Sequence, residues 1–146
     1  MVGATDQKQD LTNAIDASLA RLETDYIDLV HYHINRHPIA QSTEVFEAFS
    51  KAYDAGKIGG FGWSTDCPEG AIAFAKMDGY VAVQHDLNLF SPADAMLSAL
   101  ENHEIWAFAR QPLGMGLLSG KYRKDSPKAD SSDIRSSGMD LSLIHI

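Results

Sequence analysis

Two histidines spaced two apart, His31 and His33, sit in a run of β-forming residues at positions 26–33. Side chains two apart on a strand leave the same face, so both imidazoles would look into one space. An imidazole at a strand end can donate to a substrate oxygen, accept from it, or exchange a proton near neutral pH. An isolated histidine is more often one satisfied inside the structure. A His-x-His pair also opens the site of some metal-dependent hydrolases; His85 would supply a third ligand, and Asp86 is the only carboxylate candidate at a strand end. Ser64 and Thr65, Gln84, and residues 110–114 follow other β-like runs and offer hydroxyl, carboxamide and guanidinium groups.

Gly59, Gly60 and Gly62 lie within a strand-like run rather than in a turn that opens a helix, so they are not a dinucleotide-binding fingerprint. Gly114-Met115-Gly116 follows a strand and can bring backbone amides to a phosphate, or simply form a turn. Cys67, near a helix start, is placed for an enhanced thiolate fraction, but no base stands beside it and a packing role is favoured.

The elements that must position these groups follow from periodicity. Leu11, Ala14, Ile15, Ser18, Leu19 and Leu22 form one stripe of a helix over residues 10–23. Val45, Phe46, Phe49, Ala52 and Tyr53 do the same for residues 43–55, with Ser42 as N-cap and Gly56 as the C-terminal stop. Asp66-Cys67-Pro68-Glu69 reads as a capping box opening a helix to residue 77. Ser91-Pro92-Ala93-Asp94 opens another, to residue 102. Strands are predicted over residues 26–33, 58–64, 81–85 and 105–109, the second glycine-rich enough to imply close backbone approach. From residue 124 the chain turns polar and reads as a loop. The alternation predicts an α/β fold with a parallel sheet, right-handed crossovers and helices outside it. It suits either an open doubly wound sheet or part of a closed (β/α)₈ barrel, which needs about 250 residues. In both, ligands bind at the carboxyl ends of the strands.

The 146 residues are 45% hydrophobic and 22% charged, as in an ordinary globular protein. A formal net charge of −8 with no basic run argues against a nucleic-acid or anionic-membrane surface. One cysteine excludes an intrachain disulfide and fits a reducing compartment. The start lacks a signal-peptide pattern, and no apolar run approaches the roughly 20 residues that span a bilayer. A cytoplasmic protein is expected.

Four segments in order resemble the aldo-keto reductase family. The run from Ser18 to Leu29 (Ser-Leu-Ala-Arg-Leu-Glu-Thr-Asp-Tyr-Ile-Asp-Leu) resembles its helix-to-strand segment. Ala55-Gly56-Lys57-Ile58 through Gly62-Trp63-Ser64 is similar to the segment ending Gly-Val-Ser-Asn. Val83-Gln84 matches the strand carrying a carboxamide-binding glutamine, and Pro112-Leu113-Gly114 through Tyr122 resembles the cofactor loop. The resemblance implies a partial (β/α)₈ TIM barrel of about four parallel strands. It implies hydride transfer between NADPH and an aldehyde or ketone, with NAD as the other nicotinamide cofactor. His33 would be the catalytic histidine, and Ser64 and Gln84 would hold the nicotinamide amide. Thr65 stands where the family has asparagine. Arg110 replaces a stacking aromatic residue and can still stack through its planar guanidinium. Pro112, Leu113, Gly114 and Met115 would flank pyrophosphate and ribose.

The family's catalytic aspartate, tyrosine and lysine come from earlier strands, so an internal fragment is expected, inactive by itself. Residues 1–140 read as a partial reductase domain with no metal. Residues 141–146 continue no family pattern and resemble the translation of a transposon-end adapter, a non-native tail. Two alternatives stand beside this reading: a metal-dependent hydrolase barrel using His31, His33 and His85, and a reductase-like regulatory subunit without turnover.

Overall fold

A computed structural model describes residues 8–121 of the chain. The predicted polar loop from residue 124 and the tail at 141–146 lie outside the described residues. Helix α1 (Lys8–Leu22) leads to strand β1 (Val30–Tyr32), α2 (Ile39–Asp54), β2 (Phe61–Ser64), α3 (Pro68–Ile72), β3 (Tyr80–Asp86), α4 (Asp94–Glu101) and β4 (Trp106–Arg110). A 3₁₀ segment, Gly114–Ser119, follows. The four strands are parallel, in the order β1-β2-β3-β4. This is the predicted parallel α/β architecture, a partial barrel sheet with its helices.

Alternation along β2 explains where the core lies. Phe61 and Trp63 point to the helices and are buried to 0% and 1% exposure, while Gly62 and Ser64 face the other way. On the helix side, Phe46 and Phe49 of α2, Phe74 after α3, and Met96 and Leu100 of α4 join them in one cluster with Leu11, Ile15 and Leu19 of α1. Phe46 stacks on Phe74 at 4.1 Å between ring centroids. Leu22, read as part of the α1 stripe, is instead exposed, because the chain leaves the helix there and reverses through Glu23 at φ 54°.

Two glycines are required by geometry. Gly56 closes α2 in the left-handed region at φ 71°, its amide donating to the Tyr53 carbonyl. Gly62 lies so close to β3 that a Cβ there would run into the Ala82 carbonyl, so the glycine-rich strand does reflect close backbone approach.

Several boundaries differ from the sequence reading, among them β2, which starts at Phe61 rather than residue 58. Strand β1 keeps only Val30–Tyr32; upstream, Ile27 makes a single parallel bridge with Ile58. Helix α2 starts at Ile39 behind Pro38, one turn before Ser42. Ser42 is therefore inside the helix, fully buried, its hydroxyl donating back to the Pro38 carbonyl. Helix α3 ends at Ile72, and no side chain caps its first turn. Asp66 is not a cap, because its carboxylate is taken by Asn35, the Asp86 amide and Arg110.

Candidate active site

The sheet register sets the site. Ser64 pairs with Gln84 across β2 and β3, and Asp86 pairs with Arg110 across β3 and β4. Ser64, 1% exposed, donates its hydroxyl to Gln84 Oε1 at 3.2 Å. Arg110 Nη1 lies 3.5 Å from Ser64 Oγ. The Gln84 Nε2 makes no hydrogen bond among the described residues. This pair presents a hydroxyl and an amide nitrogen side by side, which suits a ligand carboxamide with its own carbonyl and amino group.

Arg110 is held edge-on by two carboxylates: Nη2 is 2.6 Å from Asp66 Oδ2 and Nε is 2.9 Å from Asp86 Oδ1. Asp66 Oδ2 also accepts from Asn35 Nδ2 at 2.8 Å, and its Oδ1 accepts from the Asp86 amide at 2.9 Å. Asn35 Oδ1 in turn accepts from the Asp66 amide. The carboxyl ends of all four strands thus meet in one polar belt, through Asn35 and Asp66 just beyond β1 and β2 and through Asp86 and Arg110, the last residues of β3 and β4. Burial would raise the Asp66 carboxyl, but the Asp86 amide, Asn35 and the Arg110 guanidinium together hold it below the usual carboxylate range.

Thr65 is fully buried and its hydroxyl donates to the Asn35 carbonyl at 2.6 Å while accepting from the Cys67 amide at 3.2 Å. After β4 the chain passes Pro112 and Leu113, both exposed, to half-buried Gly114 and Met115. Gly114 packs against the Phe90 ring, where a Cβ would crowd it. Gly114, Met115 and Gly116 take φ of 54°, 54° and 98°, a run of left-handed backbone suited to turning amides toward an anion.

The three histidines are not brought together. His31 and His33 leave the open face of β1, and His33 is exposed at its end. His85 follows Gln84 and so faces the opposite way, buried to 1% near Met96 of α4, with Nδ1 on the Asp86 carbonyl at 2.9 Å. No group of three metal-ligating side chains exists among the described residues, and the hydrolase alternative has no structural support. Cys67 Sγ donates to Glu69 at 3.2 Å and stands apart from the Ser64–Gln84 pair in the bonding network.

His31 packs edge-to-face on Phe108 at 5.6 Å, its Nε2 buried without a hydrogen-bond partner among the described residues. Burial above all, with the neighbouring His33 as the smallest contributor, pushes it from the usual 6.5 down to about 4. Between those values the unfolded chain takes up a proton that the folded chain refuses. Stability is therefore expected to fall by up to about 2 kcal/mol as pH drops from about 6.5 toward 4, after discounting for solvent near the ring. Urea midpoints at pH 7 and 4.5 should differ less in His31→Gln; equal differences would remove the effect.

Sequence reasoning missed the belt. The sequence pattern does not single out Asn35, gives Asp66 as a helix cap, and gives Asp86 as a strand-end residue and metal carboxylate rather than as a partner of Arg110. The available signal was spacing: Asp66 follows Ser64 by two and Asp86 follows Gln84 by two, which puts each acid on its partner's face.

With that geometry in place, the comparisons with known proteins agree on one family. The model of the aldo/keto reductase family matches residues 1–139. The uncharacterized oxidoreductase YqkF of Bacillus subtilis is 34% identical over 113 residues, 76% of this chain and 36% of the relative. The aldo-keto reductase yakc [NADP(+)] of Schizosaccharomyces pombe is 34% identical over 130 residues, 82% of this chain and 37% of the relative. Among solved structures, glycerol dehydrogenase AKR11B4 from Gluconobacter oxydans superposes with a TM-score of 0.77 at 28% identity, covering 95% of this chain and 42% of that one. The holo form of aldo-keto reductase AKR11C1 from Bacillus halodurans gives 0.68 at 26%, covering 85% and 43%. The chain spans 35–52% of the length of the curated relatives it matches. Neither the hydrolase nor the regulatory-subunit alternative finds support among these relatives, and the chain belongs to the aldo/keto reductase family.

Proposed function

We propose that this chain supplies the nicotinamide-facing part of an eight-stranded carbonyl reductase, with residues 1–140 as reductase domain and 141–146 as non-native tail. The Ser64–Gln84 pair carries the reading, because it offers a carboxamide both an acceptor and donors at the carboxyl end of two adjacent parallel strands. Bound nicotinamide cofactor would supply the hydride. Ser64 and Gln84 would fix its amide and thereby the ring face turned to the substrate. Arg110, gripped along its edge, leaves its planar face for the ring. Pro112, Leu113, Gly114 and Met115 would run along the pyrophosphate and ribose, where left-handed backbone suits an anion. Thr65, its hydroxyl spent on the main chain, would frame the amide pocket through its backbone.

His33, exposed on the open face of the strand end, would orient the substrate carbonyl. A tyrosine from a strand outside this chain would protonate the alkoxide, with an aspartate and a lysine beside it, as the family implies. NADP is the proposed cofactor, supported by the yeast relative's name. The substrate class is a small aldehyde or ketone. A cytoplasmic location is proposed on the lone cysteine, and no helix among the described residues is long and apolar enough to cross a membrane.

Ser64→Ala and Gln84→Ala, made in the complete barrel, are each expected to weaken NADPH binding by the loss of one hydrogen bond, about 0.5–1.5 kcal/mol net. Fluorescence titration measures it, and unchanged affinity in both variants would remove the assignment.

A further inference from the structure

The belt around Arg110 holds more charge than pairing requires. One guanidinium meets two carboxylates, Asp66 at 2.6 Å and Asp86 at 2.9 Å, so the cluster carries one unit of formal negative charge. All three side chains are only a quarter to a third exposed, so solvent screens that charge incompletely. Asp94 lines the same crevice as Asp66 and Asp86 and adds charge of the same sign. The cluster adjoins the Ser64–Gln84 pair directly, through Arg110 Nη1 to Ser64 Oγ.

Resting on the cofactor reading above, we infer that Asp66 and Asp86 are positioning residues that set the Arg110 plane and favour the oxidised, cationic nicotinamide ring over the reduced, neutral one. Two independent features of the cluster support this. The first is geometric. With Nε and Nη2 engaged in the plane by one acid just beyond β2 and another at the end of β3, the guanidinium cannot swing about its own stem without breaking a charge-assisted bond. Asp66 is itself held by Asn35 and by the Asp86 amide, so the chain beyond β1 braces an arginine on β4. The second part is electrostatic. A flat ring that carries a positive charge in one redox state only will feel a net negative neighbour in that state only. The two acids therefore act on the ratio of the two affinities, while Ser64 and Gln84 act on both alike.

The acids separate these parts experimentally. Among the described residues the Asp86 carboxylate makes a single hydrogen bond, from Arg110 Nε to Oδ1. An asparagine carbonyl accepts that bond as well, so Asp86→Asn removes charge and keeps geometry. Asp66 Oδ2 accepts from two donors, Asn35 and Arg110, so Asp66→Asn sets a third N–H against them and loosens the arginine too.

NADP⁺ and NADPH are titrated separately against the unchanged complete protein and both variants, and the Arg110 Nε–H resonance is followed without cofactor. In Asp86→Asn the ratio of the NADP⁺ to the NADPH dissociation constant is expected to rise about three- to tenfold, with the resonance retained. Asp66→Asn should weaken both forms, raise the ratio and broaden the resonance by faster exchange with water. An unchanged ratio in Asp86→Asn, with both forms still bound, overturns this inference and leaves the cofactor reading standing. Failure of the unchanged protein to bind either form overturns both.

Discussion

Phe46→Ala is expected to lower the unfolding free energy by about 3–5 kcal/mol, the range for removing a large aromatic side chain from a closed core. Phe46 is fully buried and is the hub of the helix-side cluster. Its ring is stacked on Phe74 and lies within 6.2 Å, centroid to centroid, of Tyr32, Phe49, Phe61, Trp63 and Tyr80. These partners come from β1, α2, β2, the segment after α3, and β3, so the hole cannot be closed by moving one element. Urea unfolding measures the loss. Phe46→Leu refills most of the space and should cost clearly less, so the pair is informative even where the alanine variant fails to fold. A loss under about 1 kcal/mol for alanine would mean that the helix layer is not closed around this ring.

The second large effect concerns chemistry. In the complete barrel, His33→Ala is expected to reduce kcat for carbonyl reduction by about 10²-fold or more, in the range seen for loss of an acid–base or orienting group. Binding of NADPH should change by less than about twofold, since Ser64, Gln84 and Arg110 form their own network without His33. Stopped-flow hydride transfer together with fluorescence titration separates the two. A large loss of affinity with hydride transfer unchanged would move His33 from the substrate to the cofactor.

Much of this was legible in the sequence because it rests on local pattern. The stripe Leu11, Ile15, Leu19 and the stop at Gly56 are set by helical spacing and by a backbone angle that glycine adopts freely. The short links between alternating elements left little choice but parallel strands. Ser64 and Gln84 are legible as ligand-facing because both lie near the carboxyl ends of strands.

What escaped was set by partners distant in sequence. Asp66 looks like a helix cap when only Pro68 and Glu69 are considered; its acceptors are claimed instead by Asn35, Asp86 and Arg110, up to 44 positions away. Ser42 makes a plausible N-cap, yet Pro38 starts the helix a turn earlier and leaves the hydroxyl buried. The spacing of His31, His33 and His85 suggested a metal set, but strand alternation sends His85 into the helix layer. In each case a residue type with two local uses was decided by where the sheet register placed its neighbours.

A crystal structure of the complete barrel with NADP⁺ bound decides whether these strand ends hold the nicotinamide. The nicotinamide amide is expected within about 2.7–3.2 Å of Ser64 Oγ and of the Gln84 carboxamide, with the ring against the face of the Arg110 guanidinium. A nicotinamide ring seated elsewhere, with Ser64 and Gln84 still bonded only to each other, would contradict that placement.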